Sequence, residues 1–153
     1  MAQGESLRLT RIFRAPRSVV FRAWTEVEQL KRWFCPFEHW GLEVEVDPRV
    51  GGTLHVVMKD AGANHDHVVR GTFREVRPPE RLVFTWRWED QPGFPETLVT
   101  VEFHDRGQET EVVLTHEALP TAESRDRHTH GWNGCLDRLA KLVEPNVGPG
   151  TVR

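Results

Sequence analysis

The strongest constraint on the fold is a change in the spacing of apolar residues, from a period of two to a period of 3.6, after Pro120. Beginning at LEVEVD, apolar and polar residues alternate, so Leu42, Val44 and Val46 would share one face of a strand. The same alternation returns in five later segments, which connections of hairpin length join. Such a sheet has an apolar face to bury, and the only long amphipathic segment follows it. This order predicts an antiparallel meander covered by a C-terminal helix.

The six strands of this meander are predicted over residues 42–47, 53–58, 67–76, 81–88, 97–105 and 110–117. A further strand precedes them in SLRLTRIF, over residues 6–13. Between that strand and the meander, the apolar residues from Val20 to Trp24 recur at helical spacing, and Pro36 ends a second helical segment. Thr25 and Glu28 have the spacing of a capping box, which predicts that the second helix begins there. Two short helices are therefore expected after the first strand.

The last helical segment is predicted over residues 121–143. A rotation of about 100° per residue places one set of its residues on a single arc: His128, Trp132, Cys135, Leu136, Leu139, Leu142 and Val143. His130 lies on the opposite side with Asp137 and Lys141, so His128 and His130 cannot chelate one ion from a regular helix. A mid-helix glycine costs about 1 kcal/mol relative to alanine, and Gly131 therefore predicts a close approach of the helix to the sheet.

Composition narrows the function classes. The net charge is −3 and the Lys and Arg residues are scattered, which argues against nucleic-acid binding. No stretch approaches the roughly 20 apolar residues of a membrane span, and the N-terminus has no apolar signal region, so a cytoplasmic location is expected. The two cysteines, Cys35 and Cys135, are interpreted as free thiols. One domain is predicted over residues 7–144, between an N-terminal tail (1–6) and a flexible C-terminal tail (145–153).

Five segments of the chain resemble a known family. In order they are FRAPRSVVFRAWTEVEQLKRWF, DPRVGGTLHVVM, GTFREVRPPERLVFTW, VTVEF and HGWNGCLDRLAKLV. They are similar to the family of homologues of the activator of the heat-shock protein 90 ATPase, within the START-like (SRPBCC) superfamily. The resemblance covers residues 7–144. It implies an α+β helix-grip fold, in which a curved seven-stranded antiparallel sheet wraps around a long C-terminal helix and often leaves a cavity between them.

An aromatic cluster in WFCPFEHWG is the most unusual segment, because connecting segments are normally polar. Its rings either plug one end of the core or rim the mouth of an apolar pocket, as this position does in the resembled fold. Pockets for small molecules combine aromatic rings with a few polar groups. The candidate ligand-binding residues are Trp33, Phe34, Phe37, Trp40, Phe84, Trp86, Trp88, Phe103, His128 and Trp132.

Signatures of metal or cofactor binding are weak. His65 and His67 would share one face of a strand, which suits a metal pair, but no third ligand is evident from the sequence. The chain has no glycine-rich phosphate loop before a helix, no CxxC pair and no G-x-S-x-G sequence. Neither a metal nor a cofactor is therefore expected.

Three functions follow from these observations. The first is a binding module that holds an apolar or aromatic molecule between the sheet and the C-terminal helix, as a monomer or homodimer. The second, which the resemblance implies, is a stress-related co-chaperone that stimulates a chaperone ATPase. The eukaryotic activators carry a separate chaperone-binding domain before this one, for which a first strand near residue 7 leaves no room. The third is an enzyme like the polyketide cyclases and aromatases, with His116 and His128 as the candidate acid–base groups.

Overall fold

A computed structural model describes residues 4–145. Its elements follow the order β1 (Glu5–Phe13), α1 (Arg17–Thr25), α2 (Val27–Trp33), β2 (Gly41–Val46), β3 (Thr53–Asp60), β4 (His65–Arg77), β5 (Arg81–Trp88), β6 (Thr97–Arg106), β7 (Glu109–Leu119) and α3 (Ala122–Val143). Every predicted element is present, and most of the predicted bounds are within two residues. Residues 146–153 of the predicted flexible C-terminal tail lie outside the described residues, as do residues 1–3.

The seven strands form one antiparallel sheet in the order β1-β7-β6-β5-β4-β3-β2. Strands β2 to β7 are the predicted meander, and β1 pairs with β7 at one edge, for example through Leu9 and Leu114. The residue pairs Val69–Trp88 and Arg70–Arg87 set the register of β4 against β5. The same register, continued past the end of β5, brings residue 90 beside residue 67. This alignment places side chains at the start of β4 next to side chains of the loop after β5.

Helix α3 covers the sheet with the face that the sequence predicts. Trp132, Cys135, Leu136 and Leu139 are buried, whereas Asp137 is exposed. Burying a leucine side chain contributes about 1.5–3 kcal/mol relative to leaving it in water. The helix begins at a Thr121 N-cap, whose hydroxyl oxygen accepts a hydrogen bond from the Ser124 backbone N–H. No helix within residues 4–145 is long and apolar enough to cross a membrane.

The C-terminal half of α3 is tied to the strand at the sheet edge by charged side chains. Arg11 on β1 donates to Asp137 at 2.7 Å and to Asn133 at 3.2 Å. Just after β1, the Arg14 side chain donates to the Glu144 carboxylate at 3.1 Å. These contacts join residues more than 120 positions apart and fix the helix axis relative to β1.

The predicted capping box is wrong. Thr25 is still the last residue of α1, so its hydroxyl donates to the Phe21 carbonyl four residues earlier, at 3.2 Å. Glu26 is the N-cap of α2 and makes no capping bond through its side chain. The two helices follow each other so closely that the residue expected to start the second belongs to the first.

The close approach predicted at Gly131 is also wrong. A Cβ atom at Gly131 would meet nothing within 4 Å, whereas one at Gly134 would lie 2.8 Å from the Pro36 carbonyl oxygen. The close approach that a glycine permits is therefore to the segment after α2, and it occurs one turn later than expected. Gly134 is the residue that lets this segment lie against α3.

Candidate ligand-binding cleft

A cleft of about 710 Å³ opens between α3, strands β3 to β5 and the segment after α2. Its walls are mostly aromatic and aliphatic, and its rim carries polar side chains from the β5–β6 loop and the first half of α3. A volume of this order is typical of sites for small organic molecules. Six of the ten residues predicted to bind ligand line it: Phe37, Trp40, Trp86, Trp88, His128 and Trp132.

The other four predicted residues lie in the core instead. Trp33 and Phe34 are fully buried, and Phe84 and Phe103 are 1 % exposed. The Trp33 indole N–H donates to the Ala23 carbonyl oxygen at 2.9 Å, which fixes its ring between α1 and α2. The strand residues pack elsewhere in the core, Phe103 against Phe21 and Phe84 against Phe73.

Both interpretations of the aromatic cluster therefore hold, each for half of it. Trp33 ends α2 and, with Phe34, plugs the core, while Phe37 and Trp40 rim the cleft. The Phe37 and Trp40 rings meet edge to face with centroids 4.9 Å apart. Phe37 is 41 % exposed, a large exposed fraction for a phenylalanine side chain. The chain turn at Pro36 separates the two roles.

Arg138 on α3 holds this rim segment in place. Its guanidinium donates to the carbonyl oxygens of Arg32 at 2.7 Å and Cys35 at 3.2 Å, and more weakly to that of Phe37 at 3.4 Å. These carbonyls lie at and beyond the C-terminus of α2, where helical hydrogen bonding runs out and a cation is favoured. The rim is thus attached to α3 by a charged side chain as well as by the contact at Gly134.

His128 forms one wall of the cleft and is held from both sides. The Trp88 indole N–H donates to His128 Nε2 at 2.9 Å, and His128 Nδ1 lies 2.7 Å from the Ser124 carbonyl oxygen. An indole N–H can only donate and a carbonyl can only accept, so the imidazole is neutral with its proton on Nδ1. Burial lowers the pKa of His128, against the opposing effect of the Ser124 carbonyl, and Arg127 lowers it further.

His116 is a second buried imidazole behind the first. The Trp132 indole N–H donates to His116 Nδ1 at 3.1 Å. The Thr97 hydroxyl donates to the Trp86 carbonyl and lies 2.8 Å from His116 Nε2, so Nε2 carries the proton and donates to Thr97. Burial holds the pKa of His116 well below its usual value, and the neighbouring His128 adds to this effect.

The two histidines therefore act as acceptors for the indoles of the cleft. Both nitrogens of each ring are engaged by protein groups, and the rings lie 5.0 Å apart, centroid to centroid. A general base needs a free lone pair within reach of the substrate. Neither His116 nor His128 offers one in this arrangement, so the geometry gives no support to the predicted acid–base role.

The cysteines are free thiols, as the sequence predicts. Burial raises the pKa of Cys35 despite the opposing Arg138 guanidinium, which donates to its sulfur at 2.7 Å. Burial also raises the pKa of Cys135, which lines the cleft. Because the thiolate is the nucleophile and the metal ligand, neither protonated thiol is suited to these roles.

Several lining residues were missed by the sequence analysis, among them Met58, His67, Gln91 and Phe94. Phe94 is an apolar residue within the polar loop EDQPGFPE, a signal that could have been noticed. His67 was considered only as half of a metal pair. In the structure it is joined by Asp90, so that His65, His67 and Asp90 offer three ligand atoms within 4.8 Å of one another.

A curved antiparallel sheet that grips a C-terminal helix, with an aromatic cleft between them, defines the helix-grip fold of START-like proteins. The sequence resemblance to this class is thereby confirmed at the level of the fold. The chain belongs to the Activator of Hsp90 ATPase homolog 1-like protein family, whose sequence profile matches residues 14–144.

Solved structures and curated relatives agree with this assignment. A crystal structure from Chromobacterium violaceum has a TM-score of 0.85 at 30% identity, covering 92% of this chain and 98% of that one. A Plasmodium falciparum protein described as an HSP90 activator has a TM-score of 0.72 at 25% identity, covering 90% of this chain and 94% of that one. The human Activator of 90 kDa heat shock protein ATPase homolog 1 is 29% identical over 114 residues. That match covers 71% of this chain but only 30% of the human protein.

Proposed function

We propose that the protein binds a small, mostly apolar molecule with aromatic character in the cleft between the sheet and α3. The observation that carries the proposal is the convergence of aromatic side chains from separate parts of the chain on one open space. Phe37 and Trp40 come from the segment after α2, Trp86 and Trp88 from β5, and Trp132 from α3. If these aromatic side chains served only to pack the core, they would fill this space, as Trp33 and its neighbours fill the core nearby.

The form of the cleft indicates the form of the ligand. Its interior offers ring faces, while Glu123, Asp126, Arg127, His130 and Gln91 stand at its rim. An amphiphilic molecule, with an apolar body inside and a polar end at the rim, would match both. Burying roughly 300 Å² of apolar surface at about 25 cal/mol per Å² gives a gross gain near 7–8 kcal/mol, which corresponds to micromolar affinity before ordering costs.

The proposal is tested with the fluorescent dye 1-anilinonaphthalene-8-sulfonate, which has an aromatic body and one charged end. Six tryptophans and no tyrosine make intrinsic emission a second signal of occupancy. We expect saturable binding that Trp40→Ala weakens at least about tenfold while the protein keeps its fold. Val50→Ala is the control, because Val50 is an exposed apolar residue that does not line the cleft.

Equal dye binding by the Trp40 and Val50 variants would contradict the proposal. So would unfolding of the Trp40 variant, since that result would make Trp40 a core residue. The natural ligand would then be sought by extracting small molecules that copurify with the wild-type protein but not with Trp40→Ala.

Family membership favours a second function, stimulation of the ATPase of an Hsp90-type chaperone. Its support is the description of the Plasmodium structure and of the human relative. The chain spans 30% of the human protein, so contacts outside this domain are not represented in the match. ATP hydrolysis by purified Hsp90 is measured with and without the protein. A rate increase that Trp40→Ala leaves intact would place this activity on a surface other than the cleft.

A further inference from the structure

We infer that His65, His67 and Asp90 form a binding site for a divalent transition metal ion, with Zn²⁺ as its simplest occupant, at the mouth of the cleft. The two histidines are alternate residues at the start of β4 and share one face of that strand. Asp90 comes from the loop after β5, which the β4–β5 register brings beside them. The inference does not depend on what the cleft binds.

The ligand atoms already converge. Asp90 Oδ2 lies 2.9 Å from His65 Nε2 and 3.9 Å from His67 Nδ1. Around a tetrahedral zinc ion with bonds of about 2.0–2.2 Å, ligand atoms stand roughly 3.3–3.5 Å apart. The two observed separations bracket this range, and all three ligand atoms lie within 4.8 Å of one another, so the side chains need only small shifts to reach the separations of a zinc site.

Asp90 is positioned to act as a ligand rather than as a solvated surface carboxylate. Its Oδ1 accepts a hydrogen bond from the Val68 backbone N–H at 2.9 Å, which leaves Oδ2 directed at the two imidazoles. Its side chain is only 11 % exposed. A backbone bond of this kind removes the need to order the carboxylate when the ion binds.

His67 carries the independent observation that an ordinary ion pair does not explain. Its Nε2 is buried and has no hydrogen-bond partner among residues 4–145, and it stands 3.9 Å from the Asp60 carboxylate. When Nδ1 binds a metal, Nε2 must carry the proton, which then faces Asp60. A carboxylate behind a metal-bound histidine is the usual partner that sets its tautomer and orientation.

The orientation of the His67 ring is also fixed by stacking. Trp40 stacks on it with centroids 4.9 Å apart and an interplanar angle of 16°. Two imidazoles and one carboxylate suit Zn²⁺ and leave a fourth position open in tetrahedral coordination. His67 and Trp40 both line the cleft, so the site adjoins the cleft mouth.

The test uses purified wild-type protein stripped with EDTA and titrated with ZnSO₄ in a calorimeter, then with CoCl₂ in a spectrophotometer. We expect one Zn²⁺ per chain, and visible absorption bands of tetrahedral Co²⁺ that Zn²⁺ abolishes. His65→Asn and Asp90→Asn should each weaken Zn²⁺ binding at least about 100-fold. Loss of a residue that only hydrogen-bonds to a metal ligand already lowers metal affinity by about 10–100-fold. Asp90→Asn keeps an oxygen for the Val68 N–H, so its fold should be preserved.

His104→Asn is the matched control, because His104 is an exposed histidine that also contacts a carboxylate, Glu102, at 2.9 Å. It should bind Zn²⁺ like the wild type. Failure of the wild-type protein to bind Zn²⁺ at 100-fold molar excess would overturn the inference, as would equal loss in the His104 and His65 variants. The EDTA-treated protein should stay folded, because the strands that carry these residues are joined to the sheet without the ion, and added ZnSO₄ should raise its melting temperature, because an ion that binds only the folded chain stabilises it.

Discussion

The two glycines in the middle of α3 offer a matched test of how the helix is packed. Gly131 and Gly134 are three residues apart in one helix, so replacing either with alanine gains the same helix propensity, about 1 kcal/mol. Their surroundings differ. A Cβ at Gly131 meets open space in the cleft, whereas a Cβ at Gly134 would stand 2.8 Å from the Pro36 carbonyl oxygen and 3.0 Å from the Pro36 Cβ.

Gly131→Ala should therefore raise the free energy of unfolding by up to about 1 kcal/mol, which for a chain of this size raises the melting temperature by roughly 2–4 °C. Gly134→Ala forces the segment after α2 away from the helix, and overpacking of this kind costs about 1–3 kcal/mol. Because the propensity gain is common to both variants, the difference between them measures the overpacking cost alone.

The assay is urea denaturation followed by tryptophan emission, with circular dichroism as an independent measure of helix content. We also expect Gly134→Ala to bind 1-anilinonaphthalene-8-sulfonate more weakly, since the displaced segment carries Phe37 and Trp40. The packing argument fails if the two variants have equal stability, or if Gly134→Ala is the more stable of the two.

Two further predictions concern the core and its buried histidines. Leu139→Ala should cost about 2–5 kcal/mol of unfolding free energy, because Leu139 is fully buried, whereas Lys141→Ala, at an exposed ion pair with Glu38, should leave stability nearly unchanged in the same urea assay. His116 and His128 have folded pKa values below the usual 6.5, so the unfolded chain binds their protons first as the pH falls. Stability is then fully present above about pH 7 and decreases below about pH 6.5, by up to about 1.4 kcal/mol per pH unit for each histidine. His128→Gln, which keeps an acceptor for Trp88, should make this decrease shallower between pH 5 and 7; an unchanged slope would contradict the assigned protonation states.

The architecture could be predicted from the sequence because it depends on the spacing of apolar residues, which is visible in each local segment. Six segments of alternating apolar and polar residues, joined by short loops, favour an antiparallel meander. Only one long amphipathic helix was then available to cover the apolar face of that sheet. The buried face of α3 followed from the same rotation, and Trp132 and Leu139 are buried as expected.

The details of the site depend on contacts between distant segments, which periodicity does not encode. Aromatic residues lie on both sides of Pro36, so the local sequence does not distinguish the core residue Trp33 from the rim residue Trp40. The role of Gly134 depends on where the segment after α2 comes to lie. For His65 and His67, the expectation of no metal rested on the lack of a third ligand nearby in the sequence, whereas the β4–β5 register adds Asp90. The turn alone does not give this register, because a bulge between Phe73 and Glu75 shifts the pairing of β4 with β5 by one residue.

The attachment of Arg138 to the rim has a thermodynamic consequence. With Arg32, Cys35 and Phe37 each contributing a carbonyl to one guanidinium, the segment that carries the rim aromatics is already ordered before any molecule arrives. A loop that must be immobilised on association subtracts its lost conformational freedom from the affinity, at about 0.5–1.5 kcal/mol for each long side chain. On this side of the cleft, the rim segment has already lost its conformational freedom during folding. A rigid guest can therefore find its aromatic contacts preorganised, and selection among guests depends on shape more than on adaptation of the rim.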